Sequence, residues 1–262
     1  MAQSVDASAQ LANLELLLKN DPAVYAALRG EEARERSGIE LIPSENYAFP
    51  EVLAVLGSVF TNKYSEGYPG RRYYGGQTYT DEIENLARDR AKEVFRCEHA
   101  NVQPLSGSGM NQAVYLGLLE PGDTIMAMDL SHGGHLTHGA PVSHMGRLFN
   151  FVRYVTDPTD GSIDFDQVRK DAIASKPKMM LCGYTSYPRD IDYAAFKAIA
   201  DEVGAISMTD ASHFGGLVAG DAMSNPFDFG FDIVTTTTHK SLRGPRGGMV
   251  LCRKKFAKAL DK

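Results

Sequence analysis

The chemistry is concentrated in two short words, Thr209-Asp210-Ala211-Ser212-His213 and Thr237-Thr238-His239-Lys240. Each closes a run that reads as a strand, 205–209 and 233–237. An isolated aspartate at such a place is also compatible with a helix N-cap or a loop carboxylate. The lysine is more telling. At the end of a β-branched, buried strand its ammonium would be poorly solvated, which lowers its pKa and makes the nucleophilic amine accessible. An acid and an amine at one edge of a parallel sheet suit pyridoxal phosphate. The amine forms a Schiff base with its aldehyde, and the acid keeps the pyridine nitrogen protonated so that the ring accepts electrons. Such a ligand also needs a phosphate site. Ser106-Gly107-Ser108-Gly109-Met110 offers backbone N–H groups, two hydroxyls and a helix N-terminus, although a plain strand-to-helix turn would read the same way.

Competing motifs fail. No GxxxxGK[ST] occurs, and the third glycine of a GxGxxG pattern is Gln112. His132, His135 and His138 fall at intervals of three, as metal ligands can. Gly133 and Gly134 argue against a helix there, and no HExxH or neighbouring cysteine supports a metal site, so none is expected. One of these imidazoles stacking on a flat ring is the better expectation.

The elements that must position these residues alternate. Leu11, Leu14, Leu17 and Leu18 make a helical stripe over 8–19, and Asp21-Pro22 opens a second helix towards Arg36. A further helix starts at Pro50. Periodicity vanishes over 61–78, where tyrosine, glycine and charge accumulate, which suits an ordered functional loop. From Thr80-Asp81 onward, strand-like runs at 100–103, 124–128, 178–182, 205–209 and 233–237 are interleaved with helical patterns at 109–119, 166–174 and 192–203. The fold class is therefore α/β, a mostly parallel sheet with helices on both faces, whose ligands bind beyond the carboxyl ends of the strands.

Composition narrows the function classes. The 262 residues carry 27 Lys plus Arg against 33 Asp plus Glu, and the net charge of −6 argues against a dedicated nucleic-acid binder. Hydrophobic residues at 43% and charged residues at 23% describe a globular chain. Cys97, Cys182 and Cys252 are far apart, with no CxxC pair, which suits a reducing compartment. The first ten residues do not read as a signal peptide, and no apolar run approaches the ~20 residues of a membrane span. A cytoplasmic protein without membrane or nucleic-acid partners is expected.

Longer words carry a family resemblance. IELIPSEN (39–46), TNKYSEGYPGRRYYGG (61–76), ANVQPLSGS (100–108), HGGHLTHG (132–139) and VTTTTHKSLRGPRGG (234–248) closely resemble serine hydroxymethyltransferase, from about residue 38 to 255. The resemblance implies a fold-type I pyridoxal-phosphate enzyme that is a homodimer or tetramer, with a helical N-terminal arm over 1–48 and a cofactor-binding large domain over 49–262. It implies interconversion of serine plus tetrahydrofolate with glycine plus 5,10-methylenetetrahydrofolate. By position within the matching words, Lys240 is the Schiff-base lysine, Asp210 the pyridine partner and His135 the stacking histidine. Ser106, Gly107 and Ser108 fall in the phosphate cup. His213 and Thr185 lie near the cofactor oxygen, Thr237 and His239 flank the lysine, and Arg246 supports the site. On the substrate side, Ser44 matches a ligand of the amino-acid carboxylate and Glu66 the acid/base carboxylate. Tyr64 and Tyr74 match tyrosines that the partner subunit contributes. Leu130, Gly134, His135 and Leu136 fall where the family contacts folate.

Three departures stand out: Gly109-Met110 where the family often has Gln-Ala, Thr185 for a serine, and Pro43 for an alanine. They leave room for an α-methylserine preference. A β-hydroxy amino acid aldolase is the rival activity, but the tyrosine loop favours folate chemistry. The chain stops at Lys262, whereas the resemblance implies a further small domain that carries an arginine clamp for the substrate carboxylate. The expectation is therefore that this polypeptide alone binds cofactor weakly and turns over poorly. The remaining alternative is an inactive paralogue with a binding role.

Overall fold

The computed structural model describes residues 7–262, with side chains in the first helix described from residue 13 onward; the reading of the first residues and of Leu11 lies outside that range. Two compact units follow one another along the chain, Met1–Glu45 and Asn46–Lys262. The first is helical, α1 (Ala7–Asn20) followed by α2 (Pro22–Ser37). The Asp21 carboxylate accepts the Val24 N–H at 3.1 Å, and Pro22 occupies the first turn, where an N–H would have no helical partner.

The second unit opens with α3 (Pro50–Leu56) and a 3-10 turn at Val59–Asn62. A two-stranded antiparallel ribbon follows, β1 (Gly67–Tyr68) and β2 (Arg71–Arg72), so the tyrosine-rich segment is ordered. Helix α4 (Thr78–Phe95) begins earlier than the Thr80-Asp81 signal suggests. The reason is that Asp81 does not cap it. Its carboxylate accepts from Gly70 N at 2.9 Å and Arg72 Nε at 2.8 Å, tying the ribbon to the helix.

The remaining elements build the main sheet and its cover. In chain order they are β3 (His99–Asn101), α5 (Gly107–Leu118), β4 (Thr124–Met128), α6 (Met145–Leu148), β5 (Asn150–Tyr154), α7 (Phe165–Ser175) and β6 (Met179–Gly183). Then come α8 (Tyr193–Glu202), β7 (Ile206–Asp210), α9 (Gly215–Ala219), β8 (Ile233–Thr237), β9 (Gly248–Cys252) and α10 (Lys254–Leu260). The strand order is β3-β9-β8-β7-β6-β4-β5. Strands β4 to β8 are parallel to one another, and β9 runs antiparallel between β8 and β3.

Both faces of the sheet are buried, which is why its central strands are apolar at successive positions rather than alternately. Ile125, Ala127, Met179 and Leu181 pack with Val114 and Tyr115 of α5. Their neighbours Met126, Met128, Met180 and Cys182 pack on the opposite face with Val168 of α7 and Phe196 of α8. A third cluster joins Phe95 of α4, Val218 of α9, Val234 and Leu251. Phe196 is fully buried and lies near-parallel to Phe231. Replacing Phe196 with alanine is expected to remove ~3–5 kcal/mol of stability. Urea unfolding, followed by circular dichroism, measures this as a lower midpoint at unchanged slope.

Candidate active site

The parallel strands β7 and β8 end side by side, with Asp210 paired in register with Thr235. Asp210 is the last residue of β7, and Lys240 lies three residues beyond the end of β8. A small cleft opens over these ends, lined by Gly107, His135, Tyr184, Thr185, Asp210, Ser212, His213, Thr237 and Lys240. Seven of these nine were anticipated from sequence; Tyr184 and Ser212 were not.

Asp210 is buried and accepts three hydrogen bonds. Its Oδ2 takes Asn111 Nδ2 at 2.8 Å and His138 Nε2 at 3.1 Å, and its Oδ1 takes Ser212 N at 3.0 Å. Burial alone would raise its pKa, but His138, Ser212 and Asn111 outweigh that and hold the carboxyl well below its ordinary range. Gly183, the register partner of Asp210 on β6, has a φ of +104°, and a Cβ there would overlap the Asp210 carbonyl oxygen. A larger residue would push the strand carrying the carboxylate aside.

Lys240 Nζ lies 3.1 Å from His213 Nε2. Burial lowers the lysine pKa, with the Asp210 charge opposing that shift. Burial, then the neighbouring Lys240 charge, pushes His213 down to about 4. A neutral His213 thus accepts from the amine at Nε2. Burial also lowers His135, with His138 and Lys240 adding to the shift and Asp210 opposing it. His135 Nδ1 accepts from Thr137 N at 3.2 Å. The three histidines of HGGHLTHG serve different partners: His132 faces Thr156, His135 faces Thr137 and His138 faces Asp210. Among the described residues no group of three His, Cys, Asp or Glu could hold a metal ion.

Around the cleft, Ser106 caps α5 by accepting Gly109 N at 3.2 Å, and Ser108 lies exposed in the first turn. Thr237 Oγ1 donates to Ser212 O at 3.3 Å. Thr185 N donates to Gly133 O at 2.7 Å, which joins the 132–139 loop to the end of β6. His239 Nδ1 accepts Gly247 N at 3.3 Å across the loop after β8. Burial, then the Arg246 charge, lowers the His239 pKa, and Arg246 itself is exposed. Gly134 is buried, while Leu130 and Leu136 are exposed on the same loop.

Tyr64, Glu66 and Tyr74 do not line the Lys240 cleft of their own chain. Tyr64 and Glu66 border a separate hollow with Glu84, Gln103 and Leu105, and the Tyr74 ring meets that of Tyr64 edge-on. Ser44 belongs to the Met1–Glu45 unit. Sequence reasoning missed Asn111, His138 and Ser212 as partners of Asp210. The usable signals were the place of Asn111 one turn into the helix after Ser106 and the i+3 spacing of His138 from His135.

The residues fit pyridoxal phosphate. An amine of lowered pKa, a buried carboxylate that stays charged and a flat imidazole share one cleft with the start of a 12-residue helix. Gly107 leaves room at that start, since a Cβ would come within 2.8 Å of Thr237 Cγ2. Sheet, crossover helices and strand-end lysine and aspartate together are the architecture of the fold-type I pyridoxal-phosphate transferases. The family model described as serine hydroxymethyltransferase matches residues 17–262, and the chain belongs to that family. It is 57% identical over 251 residues to a serine hydroxymethyltransferase of Synechococcus sp. (strain JA-3-3Ab), covering 95% of this chain and 58% of that protein. With a serine hydroxymethyltransferase of Desulfotalea psychrophila (strain LSv54 / DSM 12343) the identity is 54% over 246 residues, covering 94% and 57% respectively. The chain therefore spans somewhat under three fifths of the length of these curated relatives. No helix among the described residues is long and apolar enough to cross a membrane.

The depressed His213 pKa sets a pH window. As pH falls from 6.5 towards about 4, the unfolded chain binds a proton that the folded chain resists, so stability falls across that interval. Asp210 contributes its loss further into acid, because its folded pKa lies below its unfolded value of 3.8. Thermal unfolding of cofactor-free protein is expected to show the first decline, and His213→Asn is expected to flatten it.

Proposed function

We propose that this chain carries serine hydroxymethyltransferase chemistry, moving a one-carbon unit between serine and tetrahydrofolate to give glycine and 5,10-methylenetetrahydrofolate. The observation that carries the reading is the Lys240 amine and the Asp210 carboxylate on one cleft at the ends of adjacent parallel strands. Bound pyridoxal phosphate supplies an aldehyde that captures amines and a ring that withdraws electron density from the substrate Cα.

The chain's own side chains do the rest. Lys240 supplies the amine that holds the aldehyde, and a neutral His213 keeps that amine oriented through its Nε2 lone pair. Asp210 would present a negative charge to the ring N–H, and the His135 imidazole in the same cleft would offer the ring a flat surface. Gly107 and Ser108, in the first turn of α5, would hold the phosphate, with Ser106 capping that turn at Gly109 N. Thr185, Thr237, His239 and Arg246 shape the walls and the loop around the lysine. Ser44 takes part in binding the amino-acid carboxylate, and Leu130, Gly134, His135 and Leu136 meet folate.

Glu66 handles the proton of the serine hydroxyl. Its place outside the Lys240 cleft supports a site shared between two copies, with Tyr64, Glu66 and Tyr74 of one chain completing the cleft of the other. The exposure of Tyr64, Tyr73 and Tyr79, each more than 70%, supports the same homodimer or higher assembly, since rings this large usually find cover.

Borohydride treatment in the presence of pyridoxal phosphate is expected to add the reduced cofactor's mass to one peptide, the one containing Lys240. Lys240→Ala should abolish that gain and lower folate-dependent serine cleavage about 10³-fold or more. Labelling of a different lysine would remove Lys240 from its role. Serine cleavage that does not respond to added folate would instead indicate an aldolase.

A further inference from the structure

From just after the 3-10 turn to the first ribbon residue, the stretch Tyr64–Gly67 has little regular structure to satisfy its carbonyls, yet all four are held. Tyr64 O accepts Gln77 Nε2 at 2.7 Å, and Glu66 O accepts Tyr73 N at 3.3 Å. Ser65 O and Gly67 O both accept Arg72 Nη1, at 2.7 and 2.8 Å, and Gly67 O also accepts Gln103 Nε2 at 2.9 Å. One guanidinium nitrogen thus grips the peptide carbonyls on either side of Glu66. The guanidinium is itself fixed, 4% exposed, by Asp81 at 2.8 Å and Glu84 at 2.6 Å, both on α4. Gln77 is buried, and its Oε1 has no partner among the described residues, so holding the side chain there carries a desolvation cost. The Glu66 side chain is the opposite case. It is exposed and makes no hydrogen bond among the described residues.

We propose that Arg72 and Gln77 are positioning residues that clamp the backbone around Glu66, so that its carboxylate is offered to the reacting group from a rigid base. This rests on the reading of Glu66 as the residue that handles the hydroxyl proton. A ribbon needs no buried guanidinium to form its turn, and the donors converge on the peptide groups flanking Glu66. Arginine suits the task because its planar fork can serve two carbonyls and two carboxylates at once, which an ammonium cannot reproduce. Displacing a reacting group by ~1 Å costs on the order of 100-fold in rate.

The test uses the protein at its natural length, loaded with pyridoxal phosphate, as Arg72→Lys, Gln77→Met, Glu66→Gln and the double variant Arg72→Lys/Glu66→Gln. Amide hydrogen exchange of residues 61–76 is followed by mass spectrometry, alongside kcat and KM for folate-dependent serine cleavage. Arg72→Lys is expected to speed exchange in this segment about tenfold or more while α4 and the cofactor absorbance hold. It should lower kcat on the order of 10- to 100-fold and cost little beyond Glu66→Gln in the double variant. Gln77→Met removes one bond and no charge, is expected to act in the same direction by about threefold, and keeps the test open should Arg72→Lys not fold. Unchanged exchange, or losses that multiply in the double variant, would overturn the clamp. Full activity in Glu66→Gln would remove the parent reading and the clamp with it.

Discussion

A carboxylate buried at the end of a central strand is the constraint around which the second unit is arranged. An ionised acid in the interior is stable only when its lone pairs are met, because the lost hydration is otherwise uncompensated. Asp210 meets that need with donors from three places: Asn111 on α5, His138 on the loop after β4, and the backbone of Ser212. Each donor is oriented in turn. Thr235 Oγ1 donates to Asn111 Oδ1 at 2.8 Å, which fixes the amide with its NH₂ towards the acid. His138 Nδ1 accepts His135 N at 3.2 Å, so a neutral ring carries its proton on Nε2, facing Asp210. A change in any of these elements removes one of the three donors that offset the buried charge, so strand end, helix and loop are specified together.

The fold was legible where burial on both faces left an uninterrupted apolar or β-branched run. Strands β4 and β8 fall on the residues the sequence suggested, 124–128 and 233–237. Two strands of the main sheet escaped, as did the short ribbon β1–β2. β5 reads Asn-Phe-Val-Arg-Tyr at the sheet edge, where only Tyr154 is buried, and β9 is a short run straight after a glycine pair. Nothing local announces that β9 reverses direction. Its antiparallel pairing depends on β8 and β3, which lie far from each other in sequence.

The site divides in the same way. That Asp210, Lys240 and Gly107 share a cleft was readable because they lie at or just past a strand end or at a helix start, and such positions predict a shared edge. The donors to Asp210 were not readable. An asparagine one turn inside a helix and a histidine three residues past another look like ordinary packing until the strand ends are set side by side. The loop from Tyr64 to Tyr74 stood out by composition alone, yet its distance from the Lys240 cleft in the same chain is a matter of topology that no local word encodes.

The reversal at β9 has a mechanical meaning. Because the chain leaves β8 and at once returns beside it, the segment with Lys240 is stitched at both flanks: Thr238 N to Gly247 O at 3.1 Å, and Gly244 N to Thr238 O at 2.7 Å. Asn46 Nδ2 adds a stitch to the lysine's own carbonyl at 3.3 Å. The amine can therefore swing out and come back by rotating its own methylene arm, with the main chain as a stationary pivot. An amine mounted on so short a leash keeps within one small arc, which makes its placement a matter of torsion angles and not of refolding a flap.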